Sequence, residues 1–165
     1  MEGNGRGGIF GGRTCFMAVK SELAKWLAHH KKIALDTNLF IYRLLDSSLF
    51  REEVNRIFEA IRERKVQAIT SVITVLESSV HFFQKREEAK LPFHLEFLSG
   101  GGRIQILGVD ERIALKAASL RGYYRLRVAD ALQIATAIQG GATLFLTADR
   151  DIKLKEVEGV FLGKL

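Results

Sequence analysis

Residues 31–38, Lys-Lys-Ile-Ala-Leu-Asp-Thr-Asn, decide how this chain is read. An unbroken apolar run, Ile33 to Leu35, gives way at once to three polar residues, Asp36, Thr37 and Asn38. Alternation would mark a strand with one wet face; a continuous run marks a strand buried on both faces, as in a parallel sheet. Residues 142–149, Ala-Thr-Leu-Phe-Leu-Thr-Ala-Asp, repeat the plan and also end on a carboxylate, Asp149. Between them lie two more short apolar runs, Lys-Val-Gln-Ala-Ile-Thr (65–70) and Arg-Ile-Gln-Ile-Leu-Gly-Val (103–109), and Gly-Val-Phe-Leu-Gly-Lys-Leu (159–165) offers a short fifth.

Helical segments separate these runs. Residues 39–45 continue from Asn38 with helical spacing, and residues 49–65 form an amphipathic helix for which Asp46, Ser47 and Ser48 are N-cap candidates. Residues 71–83 read as a helix with an apolar stripe of Leu76, Val80 and Phe83. Residues 85–101 carry the only proline, Pro92, so a helix there is kinked or split. Residues 110–124 form a helix whose end Gly122 loosens, and residues 128–141 form one closed by Gly140 and Gly141. Strand and helix in alternation predict a three-layer α/β/α fold around a mainly parallel sheet of four to five strands. Ligands of such sheets gather at the carboxyl ends of the strands.

The chain has 165 residues, enough for one domain with a real core. Residues 1–16 read as a disordered glycine-rich leader, since residues 1–12 hold six of the fifteen glycines and little that packs. Residues 17–31 read as a helical extension in which Val19, Leu23, Trp26, Leu27 and His30 share a face, and residues 32–165 as the domain proper. Met17 is an alternative initiator. No apolar run reaches the roughly 18 residues of a membrane span, and the N-terminus lacks the apolar core of a secretory signal. A single cysteine, Cys15, forms no internal disulfide, so the expected home is the reducing cytoplasm.

The net charge of +6 suggests a nucleic-acid partner, but residues 1–32 hold six basic and two acidic residues while residues 33–165 hold 19 and 17. Most of the excess therefore lies outside the expected domain, and the carboxylates are the sharper clue. Most fall in mixed-charge runs; four stand among apolar neighbours: Asp36 and Asp149 at strand ends, Glu77 beside its helix stripe, and Asp130 in Val-Ala-Asp-Ala-Leu. A lone carboxylate in apolar company is costly unless it is protonated, paired or bound to metal. Taken singly, Asp36 and Asp130 also suit helix starts and Asp149 a turn, whereas Glu77 has no capping role. Oxygen ligands without a His or Cys cluster suit Mg²⁺ or Mn²⁺; His29 and His30, adjacent on a helix, point apart and are poor joint ligands, and His81 reads as a core or surface packing residue. No glycine loop of the phosphate-binding kind is present, because Gly100–Gly102 precede a strand. A phosphatase of the haloacid-dehalogenase type would need a second Asp where Asn38 stands.

Four segments in order, IALDTNLFIY (33–42), TSVITVLES (70–78), RVADALQIATA (127–137) and LFLTADRDI (144–152), together resemble the PIN-domain nucleases, especially the VapC-like toxin ribonucleases. The resemblance runs from about Lys32 to the C-terminus. It implies a metal-dependent endoribonuclease whose acidic set falls on Asp36, Glu77, Asp130 and Asp149, with Asp151 as the alternative fourth acid. Thr37, Asn38 and Thr147 fall where supporting polar residues stand, and the products would be a 5′-phosphate and a 3′-hydroxyl. It further implies a homodimer and a VapB-like antitoxin; a stand-alone PIN ribonuclease and a non-catalytic RNA-binding module are the alternatives. Arg121, Tyr123, Tyr124, Arg125 and Arg127 offer cations for phosphates and rings for bases, or equally a solvated helix end, with Arg121, Tyr124, Arg125 and Arg127 the RNA-binding candidates. The apolar segments 50–61 and 72–83 could serve as partner surfaces or as core.

Overall fold

The computed structural model describes residues 22–45 and 50–165. The expectations for the leader, Met17, Val19 and the caps Asp46, Ser47 and Ser48 lie outside the described residues. The elements run in the order residues 22–29 (α1), Lys32–Leu35 (β1), Thr37–Leu45 (α2), Arg51–Arg62 (α3), Gln67–Ser71 (β2) and Val72–Gln84 (α4). Then come a 3₁₀ turn at Glu88–Lys90, Leu91–Leu98 (α5), Ile104–Leu107 (β3), Glu111–Tyr124 (α6), Val128–Gln139 (α7), Leu144–Thr147 (β4), Glu156–Val157 (β5) and Val160–Lys164 (β6).

The six strands lie in the order β3-β2-β1-β4-β6-β5, all parallel except the short β5, which pairs antiparallel with β6. The sheet thus has one strand beyond the expected four to five; the addition is two residues long and carries too little pattern to be seen. Successive side chains of the central strands feed opposite layers. Ile33, Leu35, Leu144 and Leu146 pack with Leu39, Phe40, Val54, Ile57 and Leu98 on one face. Ala34 and Phe145 pack with Ile113, Leu120, Ala131 and Ile134 on the other. Leu23 of α1 is fully buried in the first layer, with Trp26 and Leu27 packed beside it, so this helix docks on the domain.

Helix ends follow local chemistry, with some departures from expectation. Pro92 sits in the first turn of α5, where its missing N–H is harmless, and the segment is split at the 3₁₀ turn as expected. Gly140 and Gly141 close α7: Gly141 is left-handed, and Ala142 N–H returns to the Ala137 carbonyl. α6 ends at Tyr124, where its spacing places the end, and Gly122 does not interrupt it. Its C-cap is Arg125, whose φ of 54° turns the chain. Phe50 is the N-cap of α3 and provides no side-chain hydrogen bond.

α4 departs most. Its apolar stripe Leu76, Val80 and Phe83 is exposed, and its buried residues are Thr74, Ser78, Ser79 and Phe82. The cause lies in what the buried face meets. Thr74 Oγ1 is 2.8 Å from Thr70 Oγ1, and Ser78 Oγ is 2.8 Å from Nε2 of buried His94. Polar partners from β2 and α5 thus make this polar face the inward one.

Candidate active site

Neighbouring connections leave the sheet in opposite directions between β1 and β4, and the turn after each strand carries a carboxylate, Asp36 or Asp149. A crevice opens at such a switch point, beyond the strands' carboxyl ends. Here it is a cleft of about 340 Å³ lined by Asp36, Thr37, Asn38, Ile41, Glu77, Arg127, Ala129, Asp130, Gln133 and Asp149. All four acids singled out from the sequence, contributed by four separate segments, therefore face one space. Asp151 lies outside it, in an adjoining pocket of similar size lined also by Tyr124, Arg125, Arg127, Asp130 and Lys153.

Asp36 is the deepest of the four, 7% exposed. Its Oδ1 accepts from Thr37 N–H at 2.7 Å, and its Oδ2 from Asn38 Nδ2 at 2.7 Å and Thr147 Oγ1 at 2.6 Å. Burial pushes its carboxyl up to about 6, against those hydrogen bonds, and the charges of Asp130 and Glu77 push the same way. Thr147 also accepts from Asp149 N–H at 2.9 Å, and Asn38 Oδ1 accepts from Ala148 N–H at 3.0 Å. Asn38 and Thr147 thus tie the turn after β1 to the turn after β4.

Glu77 is held by the Thr37 hydroxyl, which donates to its Oε2 at 2.5 Å. Behind that contact lies a polar cluster that the sequence reading missed. Gln133 Nε2 donates to Thr37 Oγ1 at 2.7 Å and to Thr74 Oγ1 at 3.1 Å, and Thr70 donates to the Leu35 carbonyl at 2.8 Å. Gln133 is 3% exposed, and its signal was its place three residues after Asp130, on the same face of α7. The cluster locks the Thr37 rotamer and through it the carboxylate of Glu77.

Asp130 and Asp149 meet at Arg127. Its Nε donates to Asp130 Oδ2 at 3.0 Å, and its Nη2 pairs with Asp149 Oδ2. The neighbouring carboxylates raise its already high pKa. Arg121 stands away from both pockets, its Nε bonded to the Leu126 carbonyl, where it braces the turn into α7. Tyr123 is 83% exposed and lines neither pocket. His30 stacks near Phe161 and His94 is buried against Ser78, whereas His29 and His81 are exposed; none of the four lines either pocket.

The donor set, carboxylates with no Cys or His in the cleft, fits a hard divalent cation. Asp36, buried and pushed up by two neighbouring acids, lacks the compensating charge that such a cation would supply. Among the described residues, no group of three or more His, Cys, Asp or Glu side chains is arranged to hold a metal as it stands. Arg127 pairs with two of the four acids, Asp130 and Asp149.

Residues 33–159 match the family model of the PIN domain. The chain belongs to the PIN domain family. Among curated proteins, none matches the chain at a significant level. Among solved structures, this PIN domain is similar to a chain of a toxin–antitoxin complex from Klebsiella pneumoniae, with 23% identity over 77% of this chain and 93% of that one, at a TM-score of 0.57. It is also similar to a chain of VapBC2 from Rickettsia felis bound to a promoter DNA fragment, with 19% identity over 81% of this chain and 98% of that one, at a TM-score of 0.61. At these identities the likeness is one of fold. Among the described residues, no helix is long and apolar enough to cross a membrane.

Proposed function

We propose that this PIN domain is a Mg²⁺- or Mn²⁺-dependent endoribonuclease, acting in the cytoplasm as the toxin of a VapBC-like pair. The observation that carries the reading is the convergence of Asp36, Glu77, Asp130 and Asp149 on one cleft at the switch point of the sheet. The four acids would hold the ion, which when bound acidifies a water and offsets charge on the phosphorane-like transition state. Thr147 and Asn38 orient Asp36 for that task, and Thr37 with Gln133 orients Glu77, which would align the attacking water. RNA would approach across the adjoining pocket, where Arg125 and Lys153 meet backbone phosphates and Tyr124 offers a ring to a base. With the ligand acids set aside, residues 33–165 hold 19 basic against 13 acidic residues, so a loaded domain presents a basic surface to RNA.

The toxin assignment also rests on fold likeness to toxin–antitoxin complexes and on surface character. α2 and α4 pack together and expose Ile41, Leu44, Leu76, Val80 and Phe83, whereas the apolar residues of α3 are core. Ile41 also lines the cleft, so an antitoxin lying on this strip would reach the acids, and a second copy would bury the rest.

The test compares wild type, Asp36→Asn, Asp149→Asn and Asp151→Asn on single-stranded RNA with Mg²⁺, with Mn²⁺ and with EDTA. Cleavage should require metal, vanish with the first two substitutions and persist with the third. Cleavage surviving both EDTA and Asp36→Asn overturns the mechanism, and RNA binding with no cleavage under any condition favours the non-catalytic module.

A further inference from the structure

Arg127 occupies an unusual place for an exposed cation. Its side chain is 63% exposed, yet two of its guanidinium nitrogens reach Oδ2 of Asp130 and Oδ2 of Asp149. The other oxygen of Asp149 is already committed, accepting from Asp151 N–H at 2.7 Å. Arg127 therefore holds Oδ2 of Asp149, and the same guanidinium holds Oδ2 of Asp130.

A purely local explanation is weak. Arg127 is the N-cap residue of α7 but makes no side-chain capping bond, and Asp130, in the first turn, is already favoured by the helix N-terminus. Exposed ion pairs add little to stability. A guanidinium on a long stem in water is also easily displaced, and it has somewhere to go. Arg127 and Asp130 are common to the acidic cleft and the adjoining pocket, whose other members include Tyr124, Arg125 and Lys153. A swing of one side chain moves its charge from one space to the other.

We infer that Arg127 is the resident cation of the metal-free cleft: it competes with a divalent ion for Asp130 and Asp149 and, once displaced, turns into the adjoining pocket as a phosphate ligand. The inference rests on the reading of the cleft as a metal site. It gives the molecule an order of events. Without metal the cleft is partly neutralised and Arg127, on the border of the two pockets, is held by Asp130 and Asp149; with metal, the same arginine is freed to strengthen the grip on RNA. Premature RNA binding to an unloaded site is thereby disfavoured.

The test measures Mn²⁺ affinity from the free-ion electron paramagnetic resonance signal for wild type, Arg127→Ala and Arg127→Lys. Binding of a phosphorothioate-linked RNA to each is read by fluorescence anisotropy, with Mn²⁺ and with EDTA. Removing a competing ion pair of this exposure should tighten Mn²⁺ binding by roughly three- to tenfold in Arg127→Ala. Arg127→Lys should fall between, because lysine keeps the charge but not the two-pronged fork. Mn²⁺ should raise RNA affinity in wild type, and the gain should shrink several-fold in Arg127→Ala. Mn²⁺ affinity that is unchanged or weaker in Arg127→Ala, or an undiminished RNA gain, overturns the inference while leaving the metal site standing. Absence of Mn²⁺ binding to wild type overturns the metal reading and this inference with it.

Discussion

Replacing Asp36 by Asn in the metal-free protein should change stability in a way that depends on pH, and the dependence follows from burial of one carboxyl. Asp36 is 7% exposed, and its carboxyl is pushed from an ordinary 3.8 up to about 6. The folded form then holds the proton more tightly than the unfolded chain. That stability is fully present below the unfolded value and is lost as pH rises through the folded one. The rise from 3.8 to about 6, at about 1.4 kcal/mol for each tenfold change in proton affinity, corresponds to about 3 kcal/mol. Asp130 and Glu77 share part of that effect through their charges. The stability of wild type minus that of Asp36→Asn should therefore fall by about 2–3 kcal/mol between pH 4 and pH 7 and then level off. Taking the difference removes every group that does not sense the charge of Asp36. Urea unfolding in EDTA, at half-unit steps from pH 4 to 8, measures it. Adding Mg²⁺ or Mn²⁺ at pH 7.5 should then stabilise wild type and leave the variant unmoved, because the ion supplies the charge that burial withholds. A difference that stays flat with pH would refute the claim that Asp36 is ionised at a cost.

Three further outcomes are expected. Gln133→Ala should lower stability by about 1–3 kcal/mol in urea unfolding, by stripping buried Thr37 and Thr74 of a donor, and should slow RNA cleavage although no charge is lost. Gly140→Ala should cost about 1–3 kcal/mol, read as a lowered Tm, because the added methyl meets Ile69 Cδ1 and comes within 2.8 Å of Leu107 Cδ1. Burial, and secondarily the charge of His81, lowers the pKa of His94. The unfolded chain then binds the extra proton below about pH 6.5, so stability falls as pH drops through that value. His94→Gln should lessen the fall in urea midpoint between pH 7.5 and pH 5.5.

What the sequence determined by itself was local and periodic. Unbroken apolar runs ending in Asp36 and Asp149 specified parallel strands buried on both faces, and the order of strands and helices specified three layers. The same logic marked the four acids, because an isolated carboxylate in an apolar segment stands out without reference to anything distant. Other features depended on what each residue meets in space. The stripe Leu76, Val80, Phe83 has the spacing of a core face, yet the polar partners Thr70 and His94 turn the opposite face of α4 inward and leave the stripe in water. Gln133 and Thr74 looked like ordinary helix residues until packing brought them to Thr37, across 96 residues in one case and 37 in the other. Arg127 read as one cation of a basic run, and only the fold set its guanidinium between Asp130 and Asp149, the latter 22 residues away. Periodicity encodes which residues can be buried together; which partner satisfies a buried polar group, and which charge meets which, is decided only when the strands are placed side by side.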